Sequence, residues 1–170
     1  LMALASGSAE GVQALLIYMA IYVTTNVGVF AFILNMSRDG RAITNIKSLS
    51  MYSRVAPARA GALPGLIFSL AGLPPLVGFF AKFYALTAAV NAGLMWLAVA
   101  GVIGSVIGAY YYLRIVYLMY FGEAGDGLNG KMPTLHWIFL GGSAGAMVLG
   151  IVNLFGVETL AGMAAATLLN

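Results

Sequence analysis

Between Phe68 and Ala85 the chain reads FSLAGLPPLVGFFAKFYA, an apolar run interrupted by Pro74 and Pro75 and carrying one charge, Lys82. No other feature limits the possible folds so sharply. Proline lacks the N–H that a helix interior needs and disfavours helix in the residue before it. A break in lipid-like surroundings must line a cavity or be covered by protein, because its backbone polar groups find no water. A charge there is costly and marks a functional site by default. Break and charge together suggest an ion or proton path rather than a passive anchor.

The rest of the chain supplies those surroundings. Of its 170 residues 62% are hydrophobic and 8% charged, whereas soluble domains are about a quarter charged. A multi-span membrane protein is the expected class. The net charge of +3 rests on few groups, and the bases do not form the clustered face that nucleic acid requires. Without cysteine the chain has no disulfide, iron–sulfur ligation or thiol chemistry. The single His136 excludes a metal site built on several histidines. Leu1 follows no basic n-region, so no signal peptide is expected. The chain reads as cut from something longer, with residues 1–8 as the tail of a preceding span.

Four apolar stretches follow: 12–36, 60–90, 94–121 and 134–156. About 20 apolar residues cross a bilayer core. The first and fourth fit directly and the third fits with tilt. The second is too long for one straight helix and too short for two, so it is read as one discontinuous span. Its halves are expected at Leu63–Ala71 and Leu76–Val90. The fold class is therefore an all-α polytopic transmembrane bundle of about four spans in a single membrane region, 1–170. Loop 37–60 holds Arg38, Arg41, Lys47, Arg54 and Arg59 against Asp39. Loop 122–133 holds Lys131, with Arg114 upstream. The opposite-side segments carry only Glu10 and Glu158. The positive-inside rule places both loops in the cytoplasm and both chain ends outward. Ile43, Ile46 and Leu49 suit either a short surface helix or an irregular polar loop. Loop 122–133 reads as a flexible turn, and 157–170 as a short helix on the outer surface.

On the second half-helix Gly78, Lys82, Ala85 and Ala89 make a stripe of small residues against which other helices can close. Lys82 then faces protein. Burial disfavours the charged form of an amine and a nearby carboxylate favours it, so such a group can take up and release a proton. The other reading is snorkelling of its head toward the interface. No acid in the chain is a natural partner, since Glu10, Glu123, Asp126 and Glu158 all fall in loops or ends. Tyr18, Tyr22, Thr25 and Asn26 recur about once per turn in the first span, either holding water or bonding other helices. Gly101, Gly104, Ser105 and Gly108 give the third span a close-packing face. Arg114 lies between Tyr110 and Tyr117, either anchoring the span at the interface or serving a proton exit. His136 and Trp137 open the last span as interface residues. No phosphate loop and no Ser-His-Asp set can be assembled.

The run LAGLPP…GFFAKF, together with EGVQALLIYMAIYVTTNVGVFAFIL and GSVIGAYYYLRIVYLMYF, resembles the antiporter-like, proton-translocating membrane subunits of respiratory complex I (NADH-quinone oxidoreductase). The resemblance covers essentially the whole chain. It implies a helix broken in mid-membrane at Gly72, Leu73, Pro74 and Pro75, supported by Gly78, with Lys82 as the proton carrier. It implies a longer subunit of which this chain is the C-terminal part. The family's glutamate–lysine pair and its central lysine lie on earlier spans. It also implies other membrane-arm subunits and lipid as partners, residence in a bacterial inner membrane, and no cofactor or metal on this chain. NADH, FMN, iron–sulfur clusters and quinone would be bound by other subunits. The same residues also suit a multi-subunit cation/proton antiporter, a membrane-bound hydrogenase, or an inert helical scaffold.

Overall fold

A computed structural model describes residues 1–123, 128–150 and 154–168. Its elements are α1 (Met2–Ala5), α2 (Ala9–Ile33), a two-strand hairpin β1 (Ser37–Arg38) and β2 (Arg41–Ala42), α3 (Tyr52–Val55), α4 (Pro57–Ala71), α5 (Val77–Asn91), α6 (Met95–Phe121), α7 (Thr134–Leu149) and α8 (Val157–Leu168). Short 3₁₀ turns cover Ile46–Leu49 and Leu154–Gly156. The bundle is helical, with the expected discontinuity between α4 and α5. Two helices, α2 and α6, are long and apolar enough to cross a membrane individually.

Local chemistry sets these limits. Ser8 caps α2, its side chain accepting from the Gly11 N–H at 3.1 Å. Gly11 has no room for a Cβ, which would strike the Ala3 carbonyl and the Ser6 side chain, so α1 folds tightly onto α2. In the basic loop, Asp39 and Gly40 both take positive φ, 49° and 76°, and turn β1 antiparallel onto β2 with Ser37 opposite Ala42. Asp-Gly at a tight hairpin is the pairing such a turn favours. The helical spacing of Ile43, Ile46 and Leu49 yields only one 3₁₀ turn. Asn45 starts it by accepting from the Lys47 N–H at 2.9 Å. Extended Ser50 and left-handed Met51 end it.

The first half of the broken element starts at Pro57, earlier than the hydropathy suggests, because proline at the first helical position has no needed N–H to lose. Pro64 lies inside α4. It deprives the Ala60 carbonyl of its helical donor, and the Tyr120 hydroxyl of α6 takes that place at 2.7 Å. Helix α7 ends at Leu149. Residues 151–153 of the expected fourth span, 124–127 of the expected turn (with Asp126), and 169–170 of the tail lie outside the described residues.

Helix α2 is central and packs against α4, α5, α7 and α8. Ile17, Leu66, Met119 and Leu140 are the largest apolar side chains fully buried. By contrast α6 leaves a broad apolar face open, including Val106, Ile107 and Tyr110. At one end of the bundle, Glu158 accepts from Tyr84 Oη at 3.0 Å and its backbone carbonyl from Gln13 Nε2 at 3.2 Å. Asn91 donates to Glu10 at 3.1 Å in the same region. These bonds tie α8 to α2 and α5.

Candidate functional site

The site begins where α4 runs out of donors. In a continuous helix the carbonyls of Leu70 and Ala71 would accept from residues 74 and 75. Both are prolines. The chain turns at Gly72, which takes φ 79°, and its N–H bonds back to Phe68 and Ser69. The Leu73 N–H also returns to Phe68, at 3.0 Å. The Pro74–Pro75 peptide is cis. Leu76 is extended and α5 starts at Val77.

Lys82, one turn and a half along α5, closes the gap. Its Nζ donates to the Ala71 carbonyl at 2.9 Å, the acceptor that Pro75 left without a partner. A cation at a helix C-terminus is also favoured by the carbonyl dipoles there. The side chain runs back toward the break rather than on toward the far end of α5. It leaves Gly72 no room for a Cβ, which would lie 2.7 Å from Lys82 Cδ.

The two half-helices are pinned by a residue that the sequence pattern alone does not single out. Ser69, 2% exposed, accepts from the Gly78 N–H at 3.0 Å and donates to Met147 Sδ at 3.2 Å. A Cβ on Gly78 would strike the Ser69 carbonyl, so α5 approaches α4 as closely as backbone allows. Thr25, 1% exposed, donates to Ile21 O at 2.7 Å and lies 3.1 Å from the same Met147 sulfur. One thioether thus joins α2, α4 and α7 around the start of α5. The available signal was a serine in an otherwise apolar half-helix, nine residues before a glycine that opens the next.

Two cavities meet at this lysine. A cleft of about 230 Å³ is lined by Tyr18, Lys82, Ala85, Gly101 and Ser105, with residues of α1 at its edge. A smaller one of about 20 Å³ lies among Tyr18, Tyr22, Thr25, Ser69, Gly78 and Lys82. That is room for about one water with several polar partners. Tyr18 and Tyr22 stack at 6.0 Å between ring centres.

Of the residues expected to form a polar path, Tyr18, Tyr22 and Thr25 therefore come together with Lys82. Asn26 does not line either cavity, and its side chain donates to its own helix at Tyr22 O, 2.7 Å. Arg114 lies on the exposed face of α6, nine residues beyond Ser105. That separation is about 13 Å along the helix. His136 Nδ1 accepts from Asn35 Nδ2 at 2.7 Å, joining the ends of α2 and α7. Among the described residues no cluster of His, Asp and Glu is positioned to hold a metal.

The chain as a whole has counterparts among known proteins. Over all of its length the chain is 55% identical to NADH-quinone oxidoreductase subunit N of Rhodobacter capsulatus, covering 36% of that protein. It is 57% identical to the subunit N of Jannaschia sp., covering 99% of this chain and again 36% of the relative. The chain thus spans about a third of the length of these curated relatives. In shape it matches a chain of respiratory complex I from Thermus thermophilus with bound aureothin. The TM-score is 0.78 at 25% identity, over 92% of this chain and 35% of that one. Residues 1–108 match the model of the family described as NADH:quinone oxidoreductase/Mrp antiporter, TM, and the chain accordingly belongs to that family of membrane proteins.

Proposed function

We propose that the chain is the C-terminal part of a proton-translocating membrane-arm subunit of an NADH-quinone oxidoreductase, with Lys82 as a proton carrier. The observation that carries this reading is the half-buried Lys82 amine under the broken helix, opening onto two cavities that it lines together with Tyr18. The names of the relatives support the same assignment. An amine so placed holds or yields its proton according to the charges brought near it. Gly72, Leu73, Pro74, Pro75 and Gly78 shape the break. Tyr18, Tyr22 and Thr25 would carry water or protons to Lys82, and Arg114 would act only at the membrane boundary.

In this reading α2, the α4–α5 pair, α6 and α7 cross a bacterial inner membrane, and α8 lies at the outer surface. The basic loops face the cytoplasm, as the positive-inside rule requires. Other membrane-arm subunits and lipid surround the bundle. NADH, flavin, iron–sulfur clusters and quinone are bound by other subunits, whose redox energy drives the proton steps.

Two alternatives have specific support. The family description names antiporters as well as the oxidoreductase. The bond to Ala71 also suits a purely structural lysine that caps α4. Lys82→Gln in the intact complex separates these, because glutamine keeps an N–H donor and cannot carry the proton. The expected outcome is assembly and NADH oxidation with proton movement lost, as with Lys82→Ala. Full pumping in Lys82→Gln would reduce Lys82 to a cap. Sodium-dependent growth without NADH oxidation would favour the antiporter.

A further inference from the structure

A cleft of about 420 Å³ lies away from the lysine, at the end that carries the basic loops. Tyr52, Val55, Arg59, Lys131 and Trp137 are among the residues lining it. Arg59 is held in place: its Nη1 donates to Gly130 O at 2.8 Å and to Tyr52 Oη at 3.4 Å. A guanidinium has five donors in a rigid fork, so others are left for a ligand. Lys131 is exposed at the rim. No carboxylate lines the cleft among the described residues. The first turn of α4, which has no side-chain cap, adds amide donors.

The surroundings are apolar. Val55 is 60% exposed within the cleft, and the α7 turn that carries Trp137 exposes Leu135 and Ile138. Tryptophan at a helix end marks the headgroup level of a bilayer. Two cations with no ion pair among the described residues, beside Val55 and Trp137 of the same lining, match a ligand with an anionic head and a hydrocarbon tail. Basic pockets between helices at the charged side of a membrane hold such lipids.

We propose that this cleft binds the phosphate headgroup of an anionic phospholipid, with an acyl chain lying along Val55 and the exposed turn of α7. The proposal needs the membrane placement of the bundle but not proton transfer at Lys82. A soluble phosphate would use the same cations and leave the apolar wall bare.

The test uses the intact complex in phosphatidylcholine bilayers doped with diazirine-tailed phosphatidylglycerol or its phosphatidylcholine analogue. Photolabelled peptides covering 50–60 and 128–138 are then quantified by mass spectrometry. Each cation near an anionic lipid contributes about fivefold in affinity. The two together should prefer phosphatidylglycerol about 25-fold at low occupancy. Lys131→Gln, an exposed change that leaves the Arg59 bonds in place, should lower that to about fivefold. Arg59→Gln/Lys131→Gln should abolish the preference while NADH oxidation persists. Equal labelling by both lipids overturns the proposal. So does the absence of label in these peptides, as when neighbouring protein covers the cleft. Loss of label on adding inorganic phosphate would also overturn it, by assigning the cleft to a soluble anion.

Discussion

Ser69→Ala tests how the broken helix is held. The Gly78 N–H is one of the first amides of α5 and has no partner within its own helix. Its acceptor is the Ser69 hydroxyl at 3.0 Å, in a position 2% exposed. Alanine leaves that amide unsatisfied in a buried place, at a cost of about 1–3 kcal/mol. The lost volume is a single oxygen, so no large cavity term adds to it. The effect should be local, because Lys82 still holds Ala71 at the other side of the break. If opening of the junction governs exchange, that cost speeds deuterium uptake at Gly78 about 5- to 150-fold. Hydrogen exchange with mass spectrometry on the assembled complex reads this from peptides spanning 76–80. Uptake unchanged at Gly78, or raised evenly along α5, would refute the idea that Ser69 pins the two halves.

Gly72→Ala forces a Cβ into a left-handed position at φ 79°, where it meets Lys82 Cδ at 2.7 Å. It should cost about 1–2 kcal/mol in backbone strain and displace the lysine, seen as a lowered melting temperature with reduced proton translocation. Gly72→Asn should be strained less, since asparagine tolerates that backbone region. Thr25→Val should lower stability by about 1 kcal/mol through loss of a buried hydroxyl bond. Asn26→Leu should leave stability within about 0.5 kcal/mol, because the Asn26 amide bonds only its own helix. Thermal melts of the two variants side by side distinguish them.

The helices and their break were legible because their causes are local. Hydropathy places the apolar runs, and Pro74 and Pro75 cannot continue a helix whatever lies around them. The stripe of small residues on the second half-helix pointed Lys82 toward protein, but its bond to the Ala71 carbonyl was not read from the sequence. The hairpin at Asp39–Gly40 was equally local and its turn signal stood in the sequence; the helical spacing of Ile43, Ile46 and Leu49 obscured it. Ser69 and Met147 were not legible, because their meaning arises from a meeting of positions 78 residues apart. Asn26 shows the limit from the other side. A polar residue on a promising stripe can spend its donor on the previous turn of its own helix, and spacing does not reveal which way the amide turns.

Pro64 and Tyr120 allow the logic of freed carbonyls to be checked away from Lys82. Pro64 has no N–H for Ala60 O, and Tyr120 of α6 supplies a hydroxyl at 2.7 Å instead. Tyr120→Phe should therefore strand a partly buried carbonyl, at a cost of about 1–3 kcal/mol. In a Pro64→Ala background the alanine N–H can bond Ala60 O within the helix, so the same Tyr120→Phe change should cost little. The four melts of this double-mutant cycle should show a coupling of about 1 kcal/mol or more. Additive costs would mean that the hydroxyl is not replacing the bond that proline removed. The argument that Lys82 stands in for the missing Pro75 donor would then lose its nearest internal parallel. A coupling of the expected sign would make both prolines instances of one device, in which a helix gives up a backbone donor and a side chain from another element is recruited to the vacant acceptor. At Pro64 the recruit is a neutral hydroxyl and the result is packing. At Pro75 it is an amine, and the same geometry sets a titratable group at the mouth of the cleft.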